Sequence, residues 1–136
     1  MDKNDTLILA VVSIVAIVAI ILMTVNGEIS GEASKKIDAT PGPVTLISPS
    51  DGTFGESLTP TFIWTRSQKA DYVNLYIDDE SGFSTPLVFE TQLGKNVKSF
   101  TLPSGVLQPG RTYYWMIEAM NSAGATNSAI YVFATS

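Results

Sequence analysis

Two hydrophobic patterns divide the chain. Residues 6–25 (TLILAVVSIVAIVAIILMTV) are 20 consecutive uncharged positions whose polar members are Thr6, Ser13 and Thr24. As a helix this run would extend roughly 30 Å, about the thickness of a bilayer's hydrocarbon core. A helix buried in a soluble domain keeps a polar face, and this run has none, so the pattern predicts a transmembrane-type helix over 6–25. A polar leader, residues 1–5, precedes it. Residues 26–43 (NGEISGEASKKIDATPGP) combine Gly, Ser, Pro and mixed charge, the composition of a linker.

From residue 44 the period falls to two, and turn residues punctuate the chain every eight to twelve positions or so, as in an all-β sandwich. Seven antiparallel strands are predicted, the first at 44–48, closed by Pro49-Ser50-Asp51-Gly52. The second, at 61–65, places Phe62 and Trp64 on one face, with Trp64 as the central core residue. Across Tyr72–Asp78, Val73, Leu75 and Ile77 alternate with Tyr72, Asn74 and Tyr76. Further strands are expected at 87–91 and at 97–102, the latter with Phe100 and Leu102 inward. The last, at 129–135, sets Ile130, Val132 and Ala134 against Tyr131 and Phe133.

The sixth strand is the most informative. In residues 107–124 (LQPGRTYYWMIEAMNSAG) Pro109 and Gly110 make a turn, after which Tyr113, Trp115, Ile117 and Ala119 share one face. Asn121 to Gly124 then turns the chain again. A Tyr four residues after such a Pro reads as a tyrosine corner, its hydroxyl bonding back to nearby backbone. The run resembles the sixth strand and following turn of fibronectin type III domains. Their pattern is roughly Leu-x-Pro-Gly-x-x-Tyr, alternating apolar residues, then Ala-x-Asn-x-x-Gly, and each anchor position is met. The resemblance covers residues 44–136 and implies a seven-stranded, immunoglobulin-like β-sandwich. It makes Trp64, Pro109, Gly110, Tyr113, Trp115 and Gly124 structural residues, and it places the third, sixth and seventh strands side by side. Tyr72, Tyr76, Tyr114, Tyr131 and Phe133 are then candidates for a shared aromatic interaction face.

Composition removes most chemistry. The chain has no Cys and no His, so thiolate chemistry, imidazole general bases and the commonest metal ligands are excluded. The net charge is −5, and residues 44–136 hold five basic against eight acidic groups without a basic cluster; nucleic acid is not an expected partner. No nucleophile motif or phosphate loop is present, so no catalytic, cofactor-binding or metal-ligating residue and no small-molecule substrate are expected. Asp78-Asp79-Glu80 is the one acidic run. Its carboxylates alternate in direction along an extended segment, so a solvated turn is expected rather than a cation site.

The helix admits two partners: membrane lipid, or copies of itself. In the first case the protein is a non-enzymatic cell-surface structural or adhesion protein, with one sandwich held outside the membrane on a single span. In the second it is a filament subunit whose helices form the core and whose sandwiches form the sheath. Thr6-Leu7-Ile8 and the Val/Ile/Ala run are similar to the N-terminal helix of type IV pilins, and archaeal pilins and archaellins join such a helix to a β-sandwich. The chain departs from that pattern at Asn4, where the cleaved Gly would stand, and at Leu9, where the pilin Glu would fall.

Overall fold

The computed structural model describes residues 39–136. The leader, the helix expected over 6–25 and most of the expected linker lie outside the described residues. These carry nine strands: β1 (Leu46–Ser48), β2 (Thr53–Glu56), β3 (Thr61–Trp64), β4 (Tyr72–Asp78), β5 (Phe89–Gly94), β6 (Ser99–Thr101), β7 (Thr112–Asn121), β8 (Gly124–Asn127) and β9 (Tyr131–Thr135). β1-β3-β6 form one sheet; β2-β9-β7-β4-β5, with β8 also paired to β7, form the other. No helix among the described residues is long and apolar enough to cross a membrane.

The core lies between the sheets and follows the period-two pattern. Phe62 and Trp64 from β3 meet Val73, Leu75 and Ile77 from β4 and Tyr113, Trp115, Ile117 and Ala119 from β7, all buried. Its aromatic centre is Phe62, ahead of the expected Trp64: Phe62 stands edge-on to Trp115 at 4.9 Å and to Phe133 at 5.8 Å between centroids. Such edge-to-face pairs add to the area they bury. Trp115 also donates from Nε1 to the Pro49 carbonyl at 3.3 Å, which ties the first turn to the centre of the larger sheet.

Nine strands replace the seven expected, and the two additions have local causes. β2 pairs parallel to β9 with a register shift, against the wholly antiparallel expectation. Gly55, at φ 77°, supplies a left-handed conformation there that a side chain would resist. Phe54 beside it is 84% exposed, so β2 carries no inward apolar signature that a sequence pattern would reveal. β8 and β9 are one strand interrupted at Ser128. The Ser128 hydroxyl accepts from the Ile117 amide at 2.9 Å, and its own amide donates to the Ile117 carbonyl at 2.8 Å, displacing the regular ladder. Expected bounds move: 87–91 becomes Phe89–Gly94, while 44–48 shortens to Leu46–Ser48, 97–102 to Ser99–Thr101 and 129–135 to Tyr131–Thr135. Of the two residues expected inward from β6 and its exit, Leu102 is buried and Phe100 packs half-buried against the core.

Residues 39–43, expected as the end of the linker, are fastened to the sandwich. Gly42 donates its amide to the Gln68 carbonyl at 2.8 Å and receives the Ser67 hydroxyl on its own carbonyl at 2.7 Å. Thr126 Oγ1 donates to the Pro41 carbonyl at 2.6 Å, and Asn121 Nδ2 to that of Ala39 at 2.9 Å. The domain therefore begins before residue 44.

Candidate interaction face

The turn and corner residues occupy structural positions. Tyr113 is buried, and its hydroxyl accepts from the Gln108 amide at 3.0 Å, the reach-back of a tyrosine corner. Pro109 lies between the two, and Gly110 follows at φ 66° with its amide donating to the Ser136 carbonyl at 3.1 Å. Gly124 has φ 145° and opens β8. Trp64 is buried with its Nε1 unpartnered. Tyr113→Phe is expected to cost about 1–2 kcal/mol, because it removes the one acceptor facing that amide inside a packed corner. Urea unfolding with an unchanged midpoint would count against the corner's role.

The turn after β7 holds a residue whose reach the sequence did not disclose. Asn121 Oδ1 accepts from the amides of Ala123 and Gly124 at 2.8 and 3.2 Å, an ordinary Asx turn. Its Nδ2 donates to two carbonyls far away in sequence, Ala39 and Lys69, each at 2.9 Å. One side chain thus joins the turn, the segment entering the sandwich and the loop before β4.

The five residues proposed as a shared aromatic face divide between the two sides of the larger sheet. Tyr72, Tyr76 and Tyr114 alternate with buried positions on β4 and β7 and face outward. Tyr131 and Phe133 pair with Trp115 and Tyr113, whose side chains point inward. Phe133 is buried in the core, and Tyr131 packs edge-on to Trp115 at 6.2 Å. The expectation for those two is corrected: both sides of β9 carry apolar residues, and the larger rings pack inward, Phe133 against Phe62 and Tyr131 against Trp115.

What the outer face carries at its centre is polar. Register places Tyr76 opposite Glu90 on β5 and Met116 on β7, and Asn74 opposite Gln92 and Glu118. Tyr76 donates its hydroxyl to Glu118 Oε1 at 2.9 Å, and Asn74 Nδ2 donates to the same oxygen at 3.1 Å. Burial, the Glu118 hydrogen bond and the charges of Glu118 and Glu90 push the Tyr76 hydroxyl up to about 12 from 10.0. A protonated phenol is therefore favoured by the fold. The stability this contributes is present below pH 10 and is lost as pH rises through 12. In an ultraviolet titration one tyrosine should ionise near pH 12, and Tyr76→Phe should remove that step; uniform ionisation near 10 would contradict the network.

Two adjoining hollows flank this network and share Tyr76 and Glu90. One, about 330 Å³, is lined by Asn74, Tyr76, Glu90, Thr91 and Gln92. The other, about 500 Å³, extends beneath the loop between β4 and β5 and is walled by Phe83, Leu87, Met116 and Ile130 among others. Phe83 holds φ 50°, a left-handed conformation uncommon for an aromatic residue. Asp78, the next outward position on β4, was expected as a solvated turn residue with Asp79 and Glu80. It is buried instead, and its Oδ2 has no partner; Asp79 and Glu80 are exposed. Among the described residues no group of three or more acidic side chains could hold a metal ion. On the smaller sheet, Ile47 and Ile63 are exposed, and Thr61 and Thr101 share a hydrogen bond of 2.9 Å.

No protein-family model matches the sequence, and neither does any curated protein. Solved structures do match. An alpha-L-rhamnosidase from Dictyoglumus thermophilum superposes with a TM-score of 0.50 at 14% identity, over 71% of this chain and 12% of that one. An Fn3-like protein from Clostridium thermocellum gives 0.45 at 20% identity over 72% of this chain and 93% of its own. A solved structure of FN3tt mut gives 0.41 at 17% identity over 70% of this chain and 93% of its own. The chain thus spans about 12% of the rhamnosidase's length, and the likeness is one of fold. The strand order itself defines a two-sheet β-sandwich.

Proposed function

We propose that this is a non-enzymatic surface protein that presents one fibronectin type III-like sandwich, for adhesion or as a structural part of the cell envelope, on an apolar helix spanning residues 6–25. The observation that carries the reading is the uncharged 20-residue run set ahead of the sandwich; it is long enough to span a bilayer. The lack of His and Cys supports the absence of catalysis. On this reading the sandwich is extracytoplasmic, its partners are proteins, and the outer face of the larger sheet is where they meet it.

A second reading makes the chain a filament subunit, with copies of residues 6–25 packed into a polymer core. It is favoured by the small residues Ala10, Ser13, Ala16 and Ala19, which permit close approach between helices. Intact-mass measurement of the protein from its native membrane separates the readings. An anchor keeps residues 6–25 whole with Met1 in place; a filament subunit shows pilin-like trimming near residue 5. A new terminus near Ser34 would overturn both.

A further inference from the structure

The hollows on the outer face hold an imbalance of charge. Together they are lined by two carboxylates, Glu90 and Glu118, and by no Lys or Arg. Beside this negative centre stands an apolar wall, Phe83, Leu87, Met116 and Ile130, with Ile130 45% exposed. A negative floor around a tyrosine ring, with an apolar wall beside it, complements one type of group: a long aliphatic stem ending in a cation. The stem would cover the wall, and the head would meet the carboxylates and the Tyr76 ring.

We propose that this hollow docks a lysine or arginine side chain presented by a basic segment of a partner protein. The choice of occupant follows from charge. A second copy of this sandwich would bring another acidic domain, with five basic against eight acidic groups over residues 44–136, and an acidic peptide would meet Glu90 and Glu118. The inference rests on reading the sandwich as a presented interaction module, and does not depend on whether lipid or a polymer core holds residues 6–25. Glu118 is already drawn into place by Tyr76 and Asn74, so little ordering would be needed when the cation arrives.

The test is nuclear magnetic resonance on the isotopically labelled full chain in neutral detergent, titrated with acetylated pentalysine at low salt. Amide shifts should concentrate on β4, β5 and β7 around Tyr76, Glu90 and Glu118. Glu90→Gln/Glu118→Gln should weaken binding about tenfold or more, with the fold kept because a glutamine oxygen still accepts from Tyr76 and Asn74. Glu56→Gln, on the far edge of the larger sheet, should leave binding unchanged. Shifts spread over all acidic residues, equal weakening by Glu56→Gln, or no binding would each overturn the proposal. Intact mass of the native protein is independent of this result, so failure of the site and failure of the anchor reading are distinguishable.

Discussion

Phe62→Ala is expected to destabilise the sandwich by about 3–5 kcal/mol. Phe62 is fully buried and contacts Trp115 and Phe133 edge-on, one from β7 and one from β9. It comes from the smaller sheet, so its ring bridges the two layers. Truncation leaves a cavity bounded by rigid rings, and neither β7 nor β9 can move inward without breaking its ladder. Single domains are stable by only about 5–15 kcal/mol, so much of the margin would be lost. Phe62→Leu, closer in volume, should cost about 1.5 kcal/mol or less. Urea unfolding of both variants distinguishes cavity formation from simple loss of apolar area. A cost for Phe62→Ala near that of Phe62→Leu would show that the site collapses, contrary to this packing.

Asn121→Ala should rank next, at about 2 kcal/mol, although the residue is not fully buried. It makes four hydrogen bonds of 2.8–3.2 Å to separate parts of the chain, and each is worth roughly 0.5–1.5 kcal/mol before discount for solvent access. Asn121→Asp divides them. The carboxylate still accepts from Ala123 and Gly124, while the two donors to Ala39 and Lys69 are replaced by an oxygen that repels those carbonyls. In the Asp variant the turn should persist and residues 39–43 should loosen. Hydrogen exchange at the Gly42 amide, bonded to Gln68 at 2.8 Å, reports on that segment. Unchanged protection there would mean that Asn121 serves only its own turn.

These two residues mark what was legible in the sequence. β4 alternates through Ile77, the buried face of β7 follows period two through Tyr113, Trp115, Ile117 and Ala119, and Tyr72–Asp78 is found at the bounds its pattern predicts. The tyrosine corner is also local, set by Pro109, Gly110 and Tyr113 within a few residues. β2 was not legible, because its one large apolar residue, Phe54, faces solvent and its pairing with β9 depends on sequence-distant chain. The inward face of β9 is not legible for a related reason: Ile130 and Val132 compete with Tyr131 and Phe133, and only contact with Phe62 and Trp115 decides between them.

The candidate site was less legible than the fold. The ring of Tyr76 is legible in the sequence, but its partners Glu118 and Asn74 are brought together by the β4–β7 register, which no local pattern specifies. Asn121 looked like a turn former, and its bonds to Ala39 and Lys69 span 82 and 52 residues. Asp78 stands in sequence beside two exposed acidic residues, yet it is buried with an unpartnered oxygen. In each case the residue type was informative and the tertiary neighbour was missing.

The central claim, that a sandwich is held at the cell surface by residues 6–25, is tested most directly by shearing cells that express the full chain. The sheared supernatant is examined by negative-stain electron microscopy, and the cell pellet is extracted with and without detergent. An anchored protein stays with the membranes and is released only by detergent. Sheared filaments that carry the protein and survive mild salt would contradict the anchor and make residues 6–25 a polymer core.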